Sequence, residues 1–159
     1  RDDSISRNNI TECAVGVQLD GSTGCTISYN FFGSNNDWGV YLDGLTSSNM
    51  IVSNEFWYNA GATKSYDDDR IQAYDDGSDN RWNDTDSGNF WCDWDSPDYD
   101  GDGIVDDPYR IAGEAEAVDS FPLTGSSANG LTGTILTVVF TAIILVATFL
   151  VTRKWKRQP

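Results

Sequence analysis

Ile27-Ser28-Tyr29-Asn30-Phe31-Phe32 and Ile51-Val52-Ser53-Asn54-Glu55-Phe56 carry one pattern 24 residues apart. An Ile is followed after three residues by Asn, and two residues later by a large apolar side chain. Ile5, Asn8 and Ile10 repeat it upstream, and Asn80 with Trp82 keeps its last part downstream. The Asn spacings are 22, 24 and 26 residues, and five residues after each Asn stand Cys13, Asn35, Asn59 and Thr85. Self-similarity at such a period marks a stacked repeat. Between the repeats, Val15-Gly16-Val17-Gln18-Leu19 and Gly39-Val40-Tyr41-Leu42 alternate with period two and lead into Asp20-Gly21 and Asp43-Gly44. These are strands ending in turns, and Gly, Asn and Asp tolerate the left-handed backbone that tight corners need.

The period is too short for a propeller blade and predicts an all-β chain, a right-handed parallel β-helix. Three short strands and three corners make each coil. Ile5, Ile27 and Ile51 are expected to form one inner stack, and Ile10, Phe32, Phe56 and Trp82 another. Asn8, Asn30, Asn54 and Asn80 would form a side-chain ladder at one corner, satisfying backbone groups that turn inward. A β-sandwich is the alternative, and it makes the in-phase Asn matches a coincidence. Residues 1–90 are assigned to coils and 91–124 to a C-terminal cap. Gly61 to Arg70 are extra residues in the third coil, expected to bulge as a loop tipped by Asp67-Asp68-Asp69. Cys13 lies five residues after one corner Asn and Cys25 five before the next, on different sides of a coil, so no disulfide is expected between them.

Within the cap, Asp98-Tyr99-Asp100-Gly101-Asp102-Gly103-Ile104-Val105-Asp106 places carboxylates at positions 1, 3, 5 and 9 of a loop with Gly at 6. Calcium takes six to eight hard oxygens, and alternate residues of a tight loop can aim them at one point. The expected ligands are Asp98, Asp100, Asp102, the Ile104 carbonyl and Asp106, with the Ile104 side chain packed inward. Position 12 is Tyr109, not the bidentate Glu of an EF-hand, and no flanking amphipathic helices are evident. The role expected of the ion is therefore structural. A solvated acidic loop is the alternative, at the cost of unrelieved repulsion between neighbouring carboxylates.

Trp82, Trp91 and Trp94 cluster just before this loop. They either close the open end of the coil or stack on sugar rings at the surface. Asn9-Ile10-Thr11 and Asn83-Asp84-Thr85 are N-glycosylation sequons. Asn9 neighbours the ladder, so Asn83 is expected to be the freer of the two.

Leu131 to Val151 is 21 residues without a charge, followed by Arg153-Lys154-Trp155-Lys156-Arg157. At about 1.5 Å per residue such a helix spans a hydrocarbon core of about 30 Å. The basic tail 152–159 is expected to be cytoplasmic and the rest to lie outside at the cell surface, tethered by the small polar stretch 125–130. All 25 acidic residues but only six of the ten basic ones precede position 131, so that part carries 6 − 25 = −19. This charge excludes nucleic acid as a partner and favours divalent cations, although adaptation to high salt would also produce it. The chain opens at Arg1 without Met or apolar leader, and an exported protein needs a targeting signal. It is therefore expected to be the C-terminal part of a longer one.

Gly88-Asn89-Phe90-Trp91, the Asp-rich run, Pro108-Tyr109 and Phe121-Pro122-Leu123 follow the coils in an order that resembles the C-terminal end of the NosD-like parallel β-helix proteins. These are related to carbohydrate-binding and sugar-hydrolase β-helix domains, and many are archaeal surface proteins. The resemblance implies a surface module that is structural or binds carbohydrate. The chain departs from the family pattern at Cys92, where a small hydroxyl residue is usual, and it lacks a Pro-Gly-Phe sorting signal before its apolar segment. The family name also carries a suggestion of copper. With no His, one Met (Met50) and scattered Cys, a soft-ligand copper site cannot be assembled from these residues. A polysaccharide-acting enzyme is the competing expectation. It needs carboxylates that converge on one groove. Asp37, Asp43 and Asp67–Asp69 supply acids without a spacing that specifies a pair.

Overall fold

Short strands recur where the alternating and Asn-marked segments lie. The computed structural model describes residues 3–126. One coil holds β1 (Ser4–Ser6), β2 (Asn9–Thr11) and β3 (Val17–Leu19). The next holds β4 (Thr26–Ser28), β5 (Phe31–Gly33) and β6 (Val40–Leu42), and a third β7 (Met50–Val52), β8 (Glu55–Trp57) and β9 (Ala73–Asp75). Each strand pairs in parallel with its counterpart one coil on, giving the sheets β1-β4-β7, β3-β6-β9 and β2-β5-β8-β10, with β10 at Phe90–Trp91. This is the parallel β-helix expected from the period.

Registers set the core. Ile5, Ile27 and Ile51 are aligned, as are Ile10, Phe32 and Phe56. Ile27, Ile51, Phe32 and Phe56 have no exposed surface. Burying each such side chain contributes about 1.5–3 kcal/mol, which outweighs the weak pairing of three-residue strands. Inside, the rings of Phe32, Phe56, Trp91 and Tyr109 follow one another at 5.1, 4.1 and 4.0 Å.

The fourth coil departs from the expected register. Phe56 is aligned with Trp91, not Trp82, and Asn54 is bonded to Asn89, not Asn80. Arg81 bridges Met50, so Trp82 instead continues the column of Ile5, Ile27 and Ile51. The physical reason is inserted chain. Residues 61–70 leave the third coil between β8 and β9. The fourth coil reaches the β9 face only at Ala112, bridged to Tyr74, so the Asp-rich loop leaves it at the corresponding corner. Coil structure thus runs past the expected boundary at residue 91. A two-stranded antiparallel ribbon, β11 (Tyr109–Arg110) with β12 (Val118–Asp119), closes this end.

Among the described residues no helix is long and apolar enough to cross a membrane. The expected span at 131–151 and the tail at 152–159 lie outside the described residues.

Candidate sites at the closed end

Three amide ladders run through the coils, and each ends on a carboxylate. In the first, the Asn8, Asn30 and Asn54 backbone N–H groups donate to the side-chain oxygens of Asn30, Asn54 and Asn89, each at 3.0 Å. Asn89 N–H then donates to Asp119 Oδ2 at 2.6 Å. In the second, Cys13, Asn35 and Asn59 N–H donate to Asn35, Asn59 and Gln72, and Gln72 Nε2 donates to Asp93 Oδ1 at 2.6 Å. Gln72, not Thr85, is therefore the fourth rung. In the third, Cys25 and Asn49 N–H donate to Asn49 and Asn80, and Asn80 Nδ2 donates to Asp75 Oδ1 at 3.0 Å.

The direction explains the carboxylates. Every rung offers N–H hydrogens toward the C-terminal end and a carbonyl oxygen toward the other. The last rung therefore leaves buried donors that only an acceptor can satisfy. The ladder residue follows a backbone in the left-handed region: Arg7, Tyr29 and Ser53 precede the first ladder's Asn, with φ of 59°, 57° and 57°. Gly88 precedes the fourth coil's Asn without a left-handed backbone, and it is glycine because Asp119 comes too near for a side chain. A Cβ at Gly88 would collide with the Asp119 carboxylate.

Asp75, Asp93 and Asp119 are buried. Burial raises Asp119 to about 6 despite hydrogen bonds from Trp91, Asn89 and Phe121. Burial likewise raises Asp93 against the bonds from Gln72 and Tyr109, and lifts the Cys92 thiol to about 11. Sequence reasoning passed over these acids. Asp75 carried one signal, since it falls in register with Leu19 and Leu42 in an apolar column.

The expected metal loop draws together part of its ligand set. Ligand oxygens of Asp98, Asp100 and Asp102 lie within 4.8 Å of one another. Asp98 also accepts from Gly101 N–H at 2.7 Å and Gly103 N–H at 3.0 Å, where φ values of 77° and 93° require glycine. Asp106 stands outside that trio and accepts from Tyr99 N–H at 2.6 Å. Val105, not Ile104, is the buried side chain of the loop. Val105 N–H donates to the Pro122 carbonyl and Trp94 Nε1 to that of Asp107, fixing the loop to the coil end.

Trp82 and Trp91 are 1% exposed, which corrects the sugar-stacking expectation for both. Their indole N–H groups donate to Asp75 and Asp119, each at 2.9 Å. Trp94 keeps a partly open ring, set edge-on to Tyr66 and Tyr109. The expectation for the sequons also reverses. Asn9 is exposed on β2, whereas Asn83 is half-buried, donating to the Asp84 carbonyl and accepting from Ser120 N–H.

The outer face carries rings that the sequence did not single out. Trp38, Tyr41 and Tyr74 pack with centroids 4.8–5.3 Å apart. Beside them a groove of about 320 Å³ is lined by Trp38 and Tyr74 together with Asp37, Asp68 and Asp69. Asp43 lies elsewhere, accepting from Gly21 and Leu45 N–H and from Thr46 Oγ1 as a turn residue.

A family model described as "Periplasmic copper-binding protein (NosD)" matches residues 1–96, the coils up to the edge of the acidic loop. No curated protein and no solved structure matches the chain. The donor set here does not fit copper. Cys13, Cys25 and Cys92 are free thiols held at separate places, contacting the Thr11, Thr23 and Thr63 carbonyls, and the chain has no His.

Proposed function

The chain belongs to the NosD family of parallel β-helix proteins, and we propose that it is a calcium-stabilised surface module held at a membrane and binding carbohydrate on its flank. The observation that carries calcium is the trio Asp98, Asp100 and Asp102, whose ligand oxygens share one small volume. Hard carboxylate oxygens select calcium over soft-ligand metals, and the loop adds Asp106 and the Ile104 carbonyl within a few residues. An ion here would tie the loop to Pro122 and to Trp94, and so stiffen the closed end. The apolar stretch 131–151 and its basic flank support the anchor, with the coils outside. Glycan attachment would fall on the exposed Asn9 before Asn83, since Asn83 is half-buried and its Nδ2, the atom that would carry the glycan, donates to the Asp84 carbonyl.

Calcium titration of the full chain tests the proposal. Binding only to the folded state stabilises it by about 2.7 kcal/mol at a hundredfold excess over Kd, and extracellular sites work at about 10⁻⁴–10⁻³ M. Millimolar calcium should raise the melting temperature, and chelation should lower it. Asp100→Ala with Asp102→Ala should abolish the response. Unchanged melting and unchanged protease sensitivity near Asp98 would leave only a solvated acidic turn.

A polysaccharide-acting enzyme has one observation in its favour: Asp37, Asp68 and Asp69 converge on the groove beside Trp38. Incubation with uronic and neutral polymers, read by reducing ends, tests it. Turnover lost in Asp37→Asn would establish it.

A further inference from the structure

The groove beside β6 and β9 has an aromatic side and an anionic rim, and the two together specify a ligand more narrowly than either alone. Tyr41 and Tyr74 are partners in the parallel register, and their rings stack at 5.2 Å and 11°. Trp38 lies 5.3 Å from the first and 4.8 Å from the second. All three rings stay partly exposed on the outside of the coil. The same groove is lined by Asp37 from the coil and by Asp68 and Asp69 from the inserted loop.

The carboxylates are not neutralised from within the fold. No Lys or Arg among the described residues pairs with Asp37, Asp68 or Asp69: Arg70 pairs with Asp67 at 3.6 Å and donates to the Gly61 carbonyl, the one ion pair among the described residues. Asp68 accepts a hydrogen bond from Tyr66, which is neutral. Glu114 and Asp76, further along the same flank, add negative charge, joined by Glu114 N–H to Asp76 Oδ1. A uronate or sulfate would meet this rim as a like charge. An ammonium group gains charge-assisted hydrogen bonds from the carboxylates and attraction to the electron-rich rings. A sugar ring adds an apolar C–H face suited to indole and phenol.

We propose that this groove binds a glycan through an amino-sugar unit with a free amine, the ring against Trp38 and Tyr74 and the ammonium among Asp37, Asp68 and Asp69. This rests on the carbohydrate-binding part of the proposed function and adds the site and the charge of the ligand. It also gives the insertion 61–70 a purpose, since it brings two of the three carboxylates.

The experiment is a titration of the full chain, followed by calorimetry and tryptophan fluorescence at physiological salt. The probes are a glucosamine tetramer, its fully N-acetylated counterpart, a galacturonate tetramer and spermidine. The expected result is binding of the free-amine tetramer at least tenfold tighter than the acetylated one, with no binding of the uronate. Trp38→Ala and Asp69→Asn, both at the surface, should each weaken it about tenfold. If the acetylated tetramer binds as tightly and Trp38→Ala abolishes both, the amine is not read. The proposal then fails while carbohydrate binding stands. Free-amine binding that Trp38→Ala leaves unchanged, or that spermidine matches, is charge neutralisation of an acidic surface and also overturns it. If no saccharide binds, both fail together.

Discussion

Between Asn8 and Asn59 the polar columns of this molecule are neutral and repetitive, whereas between Gln72 and Asp119 the same columns run onto charge. In the first region each amide satisfies the next, so one coil can follow another without any new chemistry. In the second, three donors without a further rung meet Asp75, Asp93 and Asp119. The difference shows that a hydrogen-bonded ladder is directional. Its interior is built from one residue type, but its end needs a different one. An acceptor-only side chain is the simplest choice, and its cost is a buried carboxylate.

The comparison is tested most strongly in the interior. Phe32→Ala should cost about 3–5 kcal/mol in urea unfolding, because the ring is wholly buried between two coils. A loss below about 1 kcal/mol would mean that the coils do not depend on this column. Asn54→Ala should cost about 1–3 kcal/mol, since it strands the Asn30 N–H in the core. A change near zero would show the ladder to be redundant with the strands.

The charged end should respond to pH instead. Asp119 has its folded value raised to about 6, so between about pH 4 and 6 the folded state holds a proton that the unfolded state has released. Stability from this group is greatest at acid pH and is lost as pH rises through about 6. Between the ordinary carboxylate value and about 6 the effect is on the order of 2–3 kcal/mol. Asp119→Asn should flatten that part of the profile measured by denaturant midpoints, and an unaltered slope would assign it to general charge repulsion. Ser53→Gly should have the smallest effect, within about 1 kcal/mol of zero. Relief of the left-handed backbone at φ 57° is offset by the greater freedom of the unfolded chain. A loss of several kcal/mol would mean that the serine side chain, not the backbone, holds the corner.

How far the sequence could be read follows the same division. Ile5, Ile27, Ile51, Phe32 and Phe56 were legible because two uninterrupted coils keep a nearly constant period. Trp82 was misplaced because Asn80-Arg81-Trp82 and Asn89-Phe90-Trp91 both match the pattern, and inserted chain removes the spacing that would separate them. The acidic loop was legible as a motif, because alternate Asp with Gly is local. Asp93 and Asp119 were not, since the donors they satisfy, on Gln72 and Asn89, lie 21 and 30 residues away in sequence. The rings of Trp38 and Tyr74 are far apart in sequence and meet only through the β6 to β9 register.

The bond from Asn59 N–H to Gln72 Oε1 joins two rungs across 13 residues of chain. Ala62 and Ile71 return to the core and Tyr66 packs on Tyr109, but the exposed stretches 63–65 and 67–70 stand outside the stack, so their length is not metered by the coil pitch. For a flexible loop, doubling the length adds only about 0.6 kcal/mol of closure cost. A guest peptide grafted between Lys64 and Ser65, both exposed, should therefore leave the rod unaltered while changing what one edge displays. Variation in this architecture is channelled: the spine fixes spacing, and a single margin is left free to acquire new recognition.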